Sequence, residues 1–113
     1  MNVTLYGLKN CDTCRKALKE IEGDGHNVTL IDVREDDMDP GLLAGLLAKH
    51  GDDVLLNRKS TTWRELSEDD KGQKAYTLLS KNPSLMKRPV LVVDEGVSFV
   101  GWSQETRAEL NKA

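Results

Sequence analysis

Residues 7–16 read Gly7-Leu8-Lys9-Asn10-Cys11-Asp12-Thr13-Cys14-Arg15-Lys16 and contain both cysteines of the chain. The alternating segment of residues 3–6 before them predicts a β-strand, whereas the apolar residues that follow recur at helical spacing, at Cys14, Ala17, Leu18 and Ile21. Cys11 is therefore expected at the first turn of a helix that follows a strand. In that position, unpaired backbone N–H groups and the positive end of the helix dipole favour a thiolate over a thiol.

The spacing of the two cysteines predicts redox chemistry. A C-x-x-C pair at a strand-to-helix junction is typical of thiol–disulfide exchange, in which one thiolate attacks and the second thiol resolves the mixed disulfide. Lys9 and Arg15 add positive charge around Cys11, while Asp12 opposes their effect. A three-residue spacing brings the two Cα atoms within roughly 5 to 6 Å, so we expect Cys11 and Cys14 to form a disulfide within one chain.

Two other interpretations of the cysteines stay open on these residues alone. A structural zinc site needs about four ligands, and the chain offers its two cysteines plus His26 and His50, without the spacing of a finger or a ribbon. Alternatively, both thiols are buried and inert, because free cysteine often packs as a small hydrophobic side chain. Redox chemistry is favoured over both.

Length and composition restrict the class of protein. A chain of 113 residues is one domain by size and can bury a core without staples. Its 38% hydrophobic and 31% charged residues describe a soluble protein, and a net charge of −3 gives no basic surface for direct nucleic-acid binding. Without a membrane-length apolar run or a signal peptide, we expect a cytoplasmic location, where the cysteine pair would cycle between redox states.

The order of predicted elements indicates an α/β fold. The first helix should end at Gly23 or Gly25, and the β-branched residues 28–33 predict a second strand, parallel to the first. Residues 34–37 are expected to form a solvated loop. Asp39 should cap a second helix that has Pro40 at its first position and ends near residue 50, with a buried stripe at Leu42, Leu43, Leu46 and Leu47.

The second half of the chain predicts shorter pieces and then a hairpin. Residues 52–86 are polar and broken, with a helical turn at 62–66 and a helix around 73–80. Residues 88–101 alternate around a turn at 94–96 and predict a β-hairpin. Ser103 should cap the last helix.

Four segments together resemble the arsenate reductase and Spx family of thioredoxin-fold proteins: residues 5–17, Leu56-Asn57-Arg58, residues 61–66 and Leu85-Met86-Lys87-Arg88-Pro89-Val90. The resemblance covers essentially the whole chain. It implies one thioredoxin-like domain over residues 1–113. That domain would have a four-stranded mixed sheet flanked by helices, with a helical insertion at about residues 40–86 before the C-terminal β-hairpin.

The resemblance also implies the roles of particular residues. Cys11 matches the nucleophilic cysteine of the family, while Arg15, Arg58 and Arg88 match arginines that would bind an oxyanion or the carboxylates of glutathione. Guanidinium groups suit such ligands, because they offer paired donors. Pro89 matches a proline whose preceding peptide bond is cis in this fold, and that bond would bring Arg88 towards Cys11.

Two departures from the arsenate reductase pattern bear on function. The stretch Phe99-Val100-Gly101-Trp102-Ser103 lacks the third anion-binding arginine, so the resemblance does not extend to arsenate as substrate. Arsenate reductases of this kind usually lack a cysteine at position 14, whereas Spx-type regulators have one. Residues 10–13 and 61–64 are most similar to a small reductase-like branch with a proposed glutathione-dependent role.

The first hypothesis is therefore a glutathione-linked thiol–disulfide oxidoreductase. Cys11 would attack the oxidised substrate, and Cys14 or a glutathione thiol would resolve the adduct, so the pKa of Cys11 should be lowered and that of Cys14 should not. We expect a monomer with glutathione as co-substrate, glutathione or a glutaredoxin-like protein as reductant, and neither metal nor tightly bound cofactor. The alternative is a redox-sensing regulator that binds the RNA polymerase alpha subunit through a Cys11/Cys14 switch.

Overall fold

One mixed sheet joins the two ends of the chain. In the computed structural model, which describes residues 1–112 apart from the side chain of Glu95, its strands are β1 (Asn2–Gly7), β2 (Asn27–Asp32), β3 (Val90–Val93) and β4 (Ser98–Val100). They lie in the order β2-β1-β3-β4. β1 is parallel to β2, with Val3 opposite Val28, and antiparallel to β3, which is antiparallel to β4. The predicted β-α-β unit and hairpin are both confirmed.

Two helices pack on this sheet. Helix α1 (Asp12–Gly23) begins after Cys11 and ends at one of the two predicted glycines. Helix α7 (Gln104–Lys112) begins after Ser103. The Ser103 hydroxyl caps α7 as predicted, because it accepts a hydrogen bond from the Thr106 amide at 3.1 Å. The core they share with the strands consists of Val3, Leu5, Cys14, Ala17, Ile21, Leu91, Val93 and Leu110. Cys14 is thus part of the main core, one turn along α1 from Cys11.

Hydrogen bonds and ion pairs between side chains hold α7 against the end of α1. Arg107 donates two hydrogen bonds of 2.8 Å to Asp24 and another to Glu20, which also accepts one from the indole N–H of Trp102 at 3.2 Å. The pKa of Asp24 is held well below its usual range, mainly by the hydrogen bonds from Arg107 and secondly by one from Asn111. These contacts stabilise the half of α1 that is remote from the cysteines.

Short helices make up the middle of the chain: α2 (Pro40–His50), α3 (Asp52–Leu55), α4 (Thr61–Glu65), α5 (Glu68–Lys71) and α6 (Ala75–Lys81), followed by a 3-10 turn at Pro83–Leu85. Asp39 caps α2 as predicted, because its carboxylate accepts the Leu42 amide at 3.0 Å. The predicted helical turn at 62–66 is α4. The helix expected at 73–80 is α6, which starts later because Lys74 is its N-cap. Helices α3 and α5 were not predicted.

The fold divides into two compact units. One comprises Met1–Asp36 together with the chain from Arg88 onward, and the other comprises Asp37–Lys87. The sheet, α1 and α7 belong to the first unit, and the five short helices belong to the second. None of the helices that the structure describes is both long and apolar enough to cross a membrane.

Candidate active site

Cys11 lies where strand β1 has ended and helix α1 is about to begin. It is the N-cap residue of α1; its backbone N–H donates to the Leu8 carbonyl at 3.2 Å, and its carbonyl accepts the Arg15 amide at 3.0 Å. Its side chain is half-buried, and both cysteines are free thiols. The nucleophile predicted from the sequence is therefore accessible, and it sits at the electropositive end of the helix.

The surroundings of Cys11 favour its thiolate. Partial burial opposes ionisation, but hydrogen bonds from the Cys14 amide and thiol, the charge of Arg88 and the Thr13 amide together lower the pKa of Cys11 below its ordinary value. The donors are mostly backbone N–H groups of the first turn of α1. The expected effect of the helix start on this thiol is confirmed in direction.

The pKa of Cys14 is shifted in the opposite direction to that of Cys11. Burial raises the pKa of this thiol to about 11, and the hydrogen bond to Cys11 together with the negative charge there raises it as well, while the Leu8 amide and Arg88 act against the shift. Its side chain is fully buried. At neutral pH, Cys14 is thus a neutral thiol that donates a hydrogen bond to Cys11, and the predicted difference between the two cysteines is confirmed.

Asp32 holds the loop that precedes Cys11, a role that was not predicted from the sequence. Only 2% of this residue is exposed, and its carboxylate accepts the amides of Lys9 at 3.0 Å and Arg34 at 2.9 Å. These two hydrogen bonds lower the pKa of Asp32 to about 2, and the bond from Lys9 has the larger effect. The sequence did contain a signal for this role, because Asp32 is an acidic residue at the end of a largely apolar strand.

Residues 34–37, the segment after β2, form an exposed loop as predicted, and two of its side chains also bind residues that precede Cys11. Arg34 donates to the side-chain oxygen of Asn10 at 3.1 Å, and the Glu35 carboxylate pairs with Lys9 at 2.6 Å. Asn10 and Lys9 directly precede Cys11. Together with Asp32, these contacts tie the loop before Cys11 to the end of the neighbouring parallel strand.

Among the predicted arginines, Arg88 is the one whose charge reaches the two cysteines. It favours both thiolates and therefore lowers both pKa values. The Arg88–Pro89 peptide bond is cis, as predicted, and Pro89 is buried at the start of β3. Arg15 lies on the first turn of α1, where it pairs with Asp12 at 2.7 Å and leaves 59% of its side chain exposed.

Arg58 belongs to the second unit. Its guanidinium pairs with Asp53 at 2.5 Å and lies over the ring of Trp63, 5.6 Å from the ring centre. Within residues 1–112, no group of three or more His, Cys, Asp or Glu side chains could hold a metal ion. The chemistry that the first unit offers is that of an activated thiolate with a neighbouring thiol and a cation.

Comparison with known proteins places this site in a family. The ArsC family model matches residues 6–110. An uncharacterised protein of Haemophilus influenzae is 39% identical over 91% of this chain and 93% of its own length. A solved structure described as a YffB protein is 33% identical, with a TM-score of 0.86 over 95% of this chain and 96% of that one.

A regulator is also among the relatives. The global transcriptional regulator Spx of Listeria innocua is 27% identical over 91% of this chain and 82% of its own length. The Spx-type regulators to which the sequence showed a resemblance are therefore found among similar proteins. Because the family model covers nearly all of the described residues, the chain belongs to the ArsC family.

Proposed function

We propose that this protein is a cytoplasmic, glutathione-linked thiol–disulfide oxidoreductase with Cys11 as its nucleophile. The observation that carries the proposal is the opposite shift of the two cysteine pKa values: lowered for Cys11 at the helix start and raised for the buried Cys14. A low-pKa, accessible thiolate is the species that attacks disulfides. A non-redox packing role would not require this asymmetry.

The first step is attack on a mixed disulfide between glutathione and a substrate thiol. The Cys11 thiolate forms a bond to the glutathione sulfur, the substrate sulfur leaves as a thiolate, and solvent protonates it. A second glutathione thiolate then attacks the bound glutathione sulfur. Glutathione disulfide departs, the Cys11 thiolate is regenerated, and the two electrons that reduce the substrate come from glutathione.

Cys14 offers a second way to resolve the adduct. Its sulfur would attack the Cys11 sulfur, its proton would pass to the departing glutathione thiolate, and two further glutathione molecules would reduce the Cys11–Cys14 disulfide. A pKa of about 11 leaves little Cys14 thiolate at neutral pH. Resolution by glutathione is therefore the main route in this proposal, and Cys14 acts chiefly as the donor that stabilises the Cys11 thiolate.

The arginines supply the anion-binding part of the proposal. An anion-binding role for Arg88 is supported by the effect of its charge on Cys11. The same role for Arg15 is supported by its place on the first turn of α1, where a ligand carboxylate would compete with Asp12 for the guanidinium. For Arg58 the support is the family resemblance. Arsenate is not proposed as the substrate, because residues 99–103 contain no arginine.

A regulatory role is the second candidate, favoured by the similarity to Spx and by the presence of Cys14. In that case oxidation would close the Cys11–Cys14 disulfide, and the protein would bind the RNA polymerase alpha subunit without turnover. Binding to the C-terminal domain of that subunit, compared with turnover of a glutathione mixed disulfide, separates the two candidates.

Mass spectrometry of a trapped adduct tests the proposed function. A Cys14→Ser chain incubated with a glutathionylated peptide should carry one glutathione, about 305 Da, on Cys11. The adduct should disappear when glutathione is added and should not form in a Cys11→Ser chain. Failure of Cys11 to take up glutathione while the free peptide thiol still accumulates would overturn the assignment of the nucleophile.

A further inference from the structure

A turn of residues 8–11 leads from strand β1 to helix α1 and carries the nucleophile at its end. The Cys11 amide closes this turn by donating to the Leu8 carbonyl at 3.2 Å. We propose that Asp32 and Arg34 are positioning residues, which hold the turn so that the Cys11 sulfur stays within reach of the first amides of α1. The inference rests on the proposed function, because it takes Cys11 as the nucleophile.

The carboxylate of Asp32 fixes the backbone of the turn. One of its oxygens accepts the Lys9 amide at 3.0 Å, and the other accepts the Arg34 amide at 2.9 Å. Both acceptors are needed, since the side chain is buried and each amide would otherwise lose its partner. An asparagine has nearly the same shape but only one acceptor oxygen, so its NH2 group would face one of the two amides. The neutral analogue of Asp32 therefore cannot hold both amides.

The sheet supports Asp32 beside the turn. Asp32 lies opposite Gly7 in the parallel pairing of β1 with β2, and the Val33 amide donates to the Gly7 carbonyl at 3.0 Å. The carboxylate thus projects from main chain that is already fixed by strand pairing. Such a rigid support is what keeps a reactive group in its productive geometry.

The guanidinium of Arg34 holds the other central residue of the turn. One of its nitrogens donates to the side-chain oxygen of Asn10 at 3.1 Å and lies 3.5 Å from the Asp32 carboxylate. Almost half of the Arg34 side chain is exposed, so its ion pair with Asp32 contributes little to stability by itself. The contribution of Arg34 is geometric, because it holds Asn10 by the side chain while Asp32 holds Lys9 by the main chain.

The position of the turn matters for the thiolate of Cys11. The groups that stabilise this thiolate include the amides of Cys14 and Thr13, and hydrogen bonds weaken steeply when their geometry is poor. Cys11 itself has extended backbone angles, with φ −90° and ψ 121°, so the turn before it decides where its sulfur lies. A looser turn should let the sulfur leave these donors and raise the pKa of Cys11 towards that of an ordinary thiol.

The opposite charges of Asp32 and Arg34 separate positioning from a simple effect of charge. If only charge mattered, loss of the Asp32 carboxylate would favour the Cys11 thiolate and loss of the Arg34 guanidinium would disfavour it. If both residues hold the turn, loss of either disfavours the thiolate. The other charged groups around the turn are unchanged in both variants: Lys9, Asp12, Arg15, Glu35 and Arg88.

The pH profile of Cys11 alkylation tests the proposal in Asp32→Asn and Arg34→Ala chains, with the folded state checked by circular dichroism. Both substitutions should raise the midpoint for Cys11 and slow its reaction with iodoacetamide at pH 7 by about two- to tenfold, the range for loss of one hydrogen bond. Asn10→Ala removes the partner of Arg34 without changing any charge and should act in the same direction. It should add little in the Arg34→Ala background, because the two residues share one contact.

Asp24→Asn and Arg107→Ala are the matched controls. They break a pair of the same kind, joined by two hydrogen bonds of 2.8 Å, at the end of α1 that is remote from Cys11. These substitutions should lower the free energy of unfolding but leave the midpoint of Cys11 unchanged.

The proposal is overturned if any folded variant of Asp32, Arg34 or Asn10 fails to raise the midpoint, or if the control variants raise it as much. If Asp32→Asn does not fold, Asn10→Ala still separates positioning from charge, because it lies on an exposed residue and alters no charge. An ordinary midpoint for Cys11 in the original chain would contradict the proposed function instead.

Discussion

Gly7 and Cys14 are in such close contact that a Cβ atom added to Gly7 would stand 2.4 Å from the sulfur of Cys14. The last residue of β1 must therefore lack a side chain for Cys14 to occupy its place in the core. Cys14 in turn donates the hydrogen bond that stabilises the Cys11 thiolate. The end of the strand thus sets the position of the Cys14 thiol that donates to Cys11.

Substitution of Gly7 by alanine should destabilise the protein. The added methyl group overpacks the core, and such overpacking costs typically about 1 to 3 kcal/mol in the free energy of unfolding. Urea unfolding measures the change. Gly45→Ala is the matched control, because Gly45 lies on the exposed side of α2 with nothing near its Cβ position, and there alanine should stabilise the helix by up to about 1 kcal/mol. A Gly7→Ala chain as stable as the original would contradict this packing.

Replacement of Cys14 should change the reactivity of Cys11 according to whether the new side chain can donate a hydrogen bond. Cys14→Ala removes the donor, so the pKa of Cys11 should rise and its alkylation at pH 7 should slow. Cys14→Ser retains a donor and should stay closer to the original rate. Peptide mapping after brief exposure to iodoacetamide gives both rates. Equal rates in the two variants would show that the Cys14 thiol does not activate Cys11.

Much of the first unit could be predicted from the sequence because its signals are local. Periodicity located β1 and α1, turn residues located the hairpin at residues 88–101, and the C-x-x-C spacing indicated the candidate site at the start of α1. The register of the sheet and the contact of Gly7 with Cys14 depend on residues that are distant in sequence or packed in three dimensions. The role of Asp32 was missed for the same reason, since its partners Lys9 and Arg34 come together only when β1 and β2 pair.

The second unit was less predictable. Its helices are short and mostly polar, and α3 and α5 each span a single turn, so no hydrophobic period could reveal them. The pairing of Leu56 with Met86 joins residues 30 positions apart. Isolated bridges of this kind leave no alternating pattern in the sequence, which is why this pairing was not anticipated.

The contribution of Asp32 to stability should depend on pH. Its pKa of about 2 in the folded protein lies below the value of about 3.9 for an unfolded chain. Its stabilisation is therefore fully present above about pH 5 and is lost as the pH falls towards 2. Urea unfolding of the original protein and of Asp32→Asn should show a difference that shrinks over that interval. A difference independent of pH would mean that the charge of Asp32 is not what stabilises the loop.

Loss of the Arg88 charge should affect both cysteines in the same direction. In Arg88→Ala, the pKa values of Cys11 and Cys14 should both rise, and glutathione should bind more weakly to a Cys11→Ser background. Arg88→Lys keeps the charge but not the paired donors, so it should restore the pKa of Cys11 more fully than it restores glutathione binding. Calorimetric titration with glutathione and alkylation rates provide the two readouts. Unchanged glutathione affinity in Arg88→Ala would argue against an anion-binding role.

The rate of alkylation of each cysteine as a function of pH, resolved by mass spectrometry of the original chain, decides which thiol is the nucleophile. We predict that Cys11 reacts first at neutral pH, with a midpoint below that of an ordinary thiol, and that Cys14 stays protected until strongly alkaline conditions. Faster reaction of Cys14 at pH 7, or a common midpoint for the two cysteines, would contradict the assignment of Cys11 as the nucleophile.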